Sequence, residues 1–90
     1  MRFAEIFSSA LPPGMRSWVC DMGNYHFVIT HEDGTSLRPE DRAEWVGYTA
    51  SWKSYSGRNA ASVRIDGRWQ TFTACEAACH EAWRQLRTQN

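Results

Sequence analysis

The sequence predicts an α+β domain of two layers, in which an antiparallel sheet of four or five strands carries the N- and C-terminal helices on one face. Isolated glycines recur at Gly14, Gly23, Gly34, Gly47, Gly57 and Gly67, the turn spacing of short antiparallel strands. The runs between them are rich in aromatic and β-branched residues, which suit a pleated, half-buried surface. After Thr73 the pattern changes to small and apolar residues at helical intervals.

At the N-terminus, Phe3, Ile6, Phe7, Ala10 and Leu11 follow the i, i+3, i+4, i+7, i+8 spacing of an amphipathic helix, with Arg2, Glu5, Ser8 and Ser9 on the other side. Pro12-Pro13-Gly14 ends it, because a proline biases the residue before it away from helical angles. Strands are expected at Trp18 to Cys20 and Tyr25 to His31, around a turn at Met22-Gly23-Asn24. In the second of these, alternation puts Tyr25, Phe27, Ile29 and His31 on one face and His26, Val28 and Thr30 on the other. The acidic stretch 38–44 suits either one or two helical turns or a solvated loop.

Further strands are expected over Tyr48 to Lys53, Ala61 to Ile65 and Arg68 to Phe72. Asp33-Gly34 and Asp66-Gly67 are hairpin dipeptides, since glycine adopts the positive φ of a tight turn at no steric cost. A two-residue turn at Asp66-Gly67 makes Arg64 the cross-strand partner of Trp69. It sets Ala61, Val63, Ile65 and Phe72 on the core face and Ser62, Arg64, Trp69 and Thr71 on the outward face. Thr73-Ala74-Cys75-Glu76 has the form of a capping box, opening a helix to about Arg87 with Cys75, Ala78, Cys79, Ala82 and Leu86 inward. The predicted core is Phe3, Ile6, Phe7, Phe27, Ile29, Tyr48, Trp52, Val63, Ile65, Phe72, Ala78, Ala82 and Leu86.

At 90 residues, with five tryptophans, three tyrosines and four phenylalanines, residues 1–90 are read as one domain whose single core is supplied largely by rings. Cys20, Cys75 and Cys79 are odd in number, and a bridge across one helical turn would be strained, so three reduced thiols are expected. No secretory leader or membrane-spanning run is read, and a cytoplasmic setting follows. Net charge is zero, but residues 1–44 hold four basic and seven acidic side chains against six and three in residues 45–90. That balance lacks the strong basic excess of a typical nucleic-acid-binding domain.

Cys75, Cys79 and His80 hint at a metal site, but a structural zinc needs four ligands and His80 points about 100° away from Cys79 on a helix. His26 and His31 differ in parity along their strand. No metal ligand, cofactor or catalytic residue is assigned. The outward hairpin face, with Arg64, Trp69 and Lys53 flanked by Ser62 and Thr71, combines positive charge, a stacking ring and hydroxyls. These are the groups that contact phosphates and bases, and equally those of an ordinary cation–π pair.

From Gly57 through Arg64, Ile65, Arg68-Trp69-Gln70-Thr71-Phe72-Thr73 and Glu76-Ala77-Ala78 to Trp83, the chain resembles the second half of three-stranded-sheet-plus-helix modules. Examples are the ethylene-response-factor DNA-binding domains of plants and the arm-binding domains of phage integrases. The resemblance implies DNA contact through the exposed sheet face, carried here onto Lys53, Arg64 and Trp69.

The leading functional expectation is a small non-catalytic binding or protein-interaction module, through self-association or an unidentified protein partner, because the aromatics exceed what a small core hides. A nucleic-acid-binding module using Lys53, Arg64 and Trp69 is the rival. A small enzyme or metal-binding protein is the third reading.

Overall fold

The computed structural model describes residues 2–56 and 61–88; the turn expected at Gly57 lies outside the described residues. Five strands, β1 (Ala4–Ile6), β2 (Met15–Met22), β3 (Tyr25–Glu32), β4 (Gly47–Ser54) and β5 (Val63–Trp69), pair in chain order as one antiparallel sheet. A 3-10 turn at Pro39–Asp41 and the short helix α1 (Arg42–Trp45) lie between β3 and β4. The long helix α2 (Phe72–Thr88) follows β5 and packs against β3, β4 and β5. The α+β class and the antiparallel sheet therefore stand.

The N-terminal helix does not form. Residues 4–6 pair with β2 as an edge strand, Ala4 opposite Val19 and Ile6 opposite Ser17. The bidentate bond from the Arg16 guanidinium to the Glu5 carboxylate, at 2.7 Å on both arms, fastens that edge. Phe3 meets the Phe72 ring edge-on at 6.1 Å. A helix of one or two turns is marginal in water, whereas the exposed backbone of β2 offers ready hydrogen-bond partners. Ile6 and Phe7, expected in the core, are 38% and 86% exposed.

The β2–β3 hairpin closes through Gly23-Asn24, with Met22 opposite Tyr25 and Gly23 at φ +59°. Its alternation is the expected one: Phe27 and Ile29 are completely buried on the helix side, and Cys20, Trp18, Trp52 and Ala50 are their cross-strand neighbours. Cys75 and Cys79 of α2 complete that core, also with no exposed surface. Burying side chains such as Phe27 and Ile29 stabilises the fold by about 1.5–3 kcal/mol each.

Neither Asp-Gly pair turns a hairpin. Asp33-Gly34 opens the long β3–β4 connection: Thr35 N–H bonds to Asp33 Oδ1 at 2.7 Å and Leu37 N–H to the Gly34 carbonyl at 3.1 Å. Gly34 sits at φ +89° and a Cβ there would lie 2.9 Å from Val46 Cγ2, so both conformation and space demand glycine. Asp66-Gly67 lies inside β5 as a bulge. Tyr48 pairs with Trp69 but Ala50 pairs with Ile65, so residues 66–68 stand opposite Thr49 alone. Gly67, at φ +129°, lies under the Trp69 ring, where a Cβ would come within 3.0 Å of Cζ2. The strand expected at Arg68 to Phe72 is thereby used up, partly in β5 and partly in α2. Val63, placed in the predicted core, is 44% exposed.

Helix α2 begins two residues earlier than the capping box implies. Thr71 Oγ1 accepts from the Ala74 N–H at 3.2 Å, and the Thr71 carbonyl accepts from the Cys75 N–H at 3.2 Å. Thr71 and Thr73 are equally good caps in isolation. The choice goes with Phe72, whose ring lies 5.1 Å from Trp18 and 6.0 Å from Tyr48 as the first helical residue. Of the inward stripe of α2, Ala82 and Leu86 pack on the core that Cys75 and Cys79 complete, and Trp83 joins them; Ala78, placed in the predicted core, is only partly buried and stands outside that cluster.

Candidate functional site

Strand alternation gives the sheet a second face, turned away from α2 and bearing Val28, Thr30 and Glu32 of β3, Thr49, Ser51 and Lys53 of β4, and Arg64 of β5. Near its β3–β4 end the connection 33–46 folds back over this face. Two anchors hold it, Asp33 N–H to the Gly14 carbonyl at 3.0 Å and Ser36 Oγ to the Pro13 carbonyl at 2.7 Å, and Arg42 Nε braces it internally by donating to the Gly34 carbonyl at 3.1 Å. Between sheet and connection lies a pocket of about 370 Å³. Val28, Thr30, Thr49 and Ser51 supply the sheet side; Leu37 and Trp45 come from the connection, and Met15 from β2. Trp45 is 51% exposed.

Glu32 and Arg64 are the charged members of the lining. Glu32 is opposite Gly47 and Arg64 opposite Ser51, so their backbones are offset along β4 by four residues, about 13 Å at the rise of a strand. Glu32 Oε1 accepts from the Gly34 N–H at 2.9 Å. Among the described residues Arg64 has no hydrogen-bond or ion-pair partner.

A second cluster occupies the same face near the β2–β3 turn. The Tyr55 hydroxyl donates to Asp21 Oδ1 at 2.8 Å, while His26 Nδ1 lies 2.7 Å from that oxygen and 3.0 Å from the hydroxyl. A carboxylate has no proton to give, so Nδ1 carries the hydrogen. Hydrogen bonds from His26 and then Tyr55 hold the Asp21 carboxyl below its ordinary range, and the bond to Asp21 raises the Tyr55 phenol. The Tyr55 N–H also bonds to the Asn24 carbonyl at 2.8 Å, so this cluster ties the end of β4 to the β2–β3 turn. Beside it, His26, Lys53 and Ser62 line a smaller hollow of about 130 Å³.

Of the three residues singled out in the sequence, Lys53 and Arg64 share the face away from α2, while Trp69 does not. Trp69 pairs with Tyr48 and packs against the core on the helix side. The residues that sequence reasoning missed are Trp45, Leu37 and Glu32. The only sequence signal for them was the length of the 33–46 stretch between two strands, since connections of more than about a dozen residues are unusual in compact domains.

The cysteines are all free and buried. Cys75 and Cys79 hydrogen-bond to each other, and that bond together with burial pushes the Cys79 thiol far up; burial likewise raises Cys20. The same bond holds the Cys75 thiol below its ordinary value, but Cys75 and Cys79 have no exposed surface, so no outside electrophile reaches either sulfur in the folded protein. Among the described residues no three His, Cys, Asp or Glu side chains converge as a metal-ligand set, and no helix is long and apolar enough to cross a membrane. Comparison with protein-family models, with curated proteins and with solved structures finds no match.

Proposed function

We propose that the chain is a small non-catalytic binding module whose binding surface is the sheet face turned away from α2. One observation carries the reading: the pocket of about 370 Å³ on that face combines apolar walls with charges at separate positions. Pockets that hold small ligands are concave and mostly apolar, with a few polar groups that set orientation. The half-exposed Trp45 belongs to the ring surplus that the core does not hide. A reducing, cytoplasmic setting goes with this reading, since three unpaired thiols persist there. Catalysis fits less well, because His26 is engaged by Asp21 and Tyr55, with no serine, threonine or cysteine nucleophile bonded to it.

Nucleic-acid recognition by Lys53 and Arg64 is weakened by the placement of Trp69, which leaves those cations without the stacking ring the reading relied on, and by Asp21 and Glu32 on the same face. A screen of neutral aromatic and aliphatic fragments, followed by amide resonances, tests the binding reading. Perturbations should gather at Val28, Thr30, Thr49, Ser51 and the Trp45 indole. Perturbations scattered over the molecule, or confined to the α2 side, would refute it.

A further inference from the structure

We infer that the pocket takes a small monocarboxylate with an apolar body, an aryl or branched alkyl acid. Its carboxylate would meet the Arg64 guanidinium while its hydrocarbon part lies among Val28, Leu37 and Trp45. The inference rests on the binding-module reading above and adds the chemical class of the ligand.

The charge pattern selects an anion. Arg64 brings a planar fork of N–H donors to the pocket, and no acceptor among the described residues engages it. Such a fork matches a carboxylate bidentately. Glu32, the opposing charge, already accepts a backbone hydrogen bond from Gly34 and lies near the β3–β4 end of the pocket. The offset of about 13 Å along β4 keeps it from acting as the partner of Arg64.

The class of anion follows from what surrounds Arg64. A phosphate is best held by several cations and backbone donors, but among the described residues Arg64 is the only cation in this lining, and Lys53 faces the neighbouring hollow. Ser51, the cross-strand partner of Arg64, offers one hydroxyl for a remaining carboxylate lone pair. Met15, Val28, Leu37 and Trp45 give the wall a hydrocarbon part beside the Thr30 and Thr49 hydroxyls, and a free inorganic anion leaves that part unused. Glu32 further disfavours a second carboxylate at the far end, so a monoacid fits better than a diacid. The pocket volume lies in the small-ligand range of about 300–1,000 Å³ and is too small for a folded partner.

The test is a resonance titration of the full chain at neutral pH and low salt with 4-phenylbutyrate and with its neutral amide. The readouts are the Trp45 indole N–H and the amides of Thr49 and Ser51. The acid should bind about tenfold more tightly than the amide, the ratio expected of one charge-assisted pair in a partly exposed site. Arg64→Gln should abolish that preference with the remaining resonances unmoved, and Lys53→Gln should preserve it. Equal affinity of acid and amide at these positions would overturn the anion inference while leaving the binding face in place. Absence of any shift with either probe would also overturn it, and the binding face would then be judged by the neutral-fragment screen alone.

Discussion

Arg64 and Trp69 stand on opposite faces of β5. Their separation is odd, so on a continuous strand they alternate apart, and the two extra residues of the bulge at 66–68 preserve that parity. Had Asp66-Gly67 turned a hairpin, the same two residues would be cross-strand partners on one face. The consequence is a division of labour. Trp69→Ala should destabilise the protein by about 2 kcal/mol, less than a fully buried tryptophan because the ring is only partly buried. Arg64→Ala should change stability by no more than about 0.5 kcal/mol. Urea denaturation monitored by circular dichroism distinguishes them, and equal losses for both variants would contradict the facial assignment.

The helix cap gives a second comparison. Thr71→Ala should cost about 1 kcal/mol through the lost hydrogen bond to the Ala74 N–H, while Thr73→Ala should cost a few tenths or nothing. The paired urea midpoints settle which threonine caps α2. A larger loss at Thr73 would restore the capping box.

The cluster of Asp21, His26 and Tyr55 should leave its mark on the pH dependence of stability. Asp21 titrates lower in the folded protein than its ordinary 3.8. Its contribution is therefore complete above that value and is lost as pH falls through the lower folded one. Tyr55 titrates higher than its ordinary 10.0, so its contribution is complete below that value and is lost as pH rises through the higher folded one. In melting temperatures recorded against pH, Asp21→Asn should flatten the acid limb and Tyr55→Phe the alkaline limb. Glu5 and Asp33, also held low by hydrogen bonds from Arg16 and Thr35, should retain part of the acid loss in the first variant. Unchanged limbs in both variants would show that the cluster adds nothing to stability.

The thiols should be silent in the native state. Cys75 and Cys79 are completely buried and Cys20 nearly so, and Cys79 is driven further from the thiolate by Cys75 and by burial. Ellman's reagent at mildly alkaline pH should label all three at the rate of unfolding and rapidly in denaturant. Fast labelling of folded protein would mean that the core opens locally at α2.

Nucleic-acid binding makes an opposing prediction that is simple to check. A basic face should bind random duplex or single-stranded oligonucleotides at low salt with an affinity that falls steeply as salt rises. With net charge zero and Asp21 and Glu32 on the same face as Lys53 and Arg64, no binding is expected at tens of micromolar protein. Salt-sensitive binding lost in Arg64→Ala would reinstate that reading.

Much of this protein is written in local periodicity. The alternation of Tyr25 to His31 determined which side of β3 is buried, because successive side chains of a strand must point oppositely. The spacing of Cys75, Cys79, Ala82 and Leu86 determined the buried stripe of α2, because residues three and four apart share a helix face. Where two local signals were nearly equal, the decision passed to contacts distant in sequence. Phe3 and Ile6 fit a helix or a strand, and the free edge of β2 with Arg16 waiting for Glu5 chose the strand. Thr71 and Thr73 both fit a cap, and the ring cluster around Phe72 goes with the first. Asp66-Gly67 fits a turn or a bulge, and the pairing of Trp69 with Tyr48 left no chain for another strand. The pocket is the most nonlocal feature of all: its walls come from β2, β3, β4, β5 and the 33–46 connection, and no periodicity within one segment encodes how five segments converge.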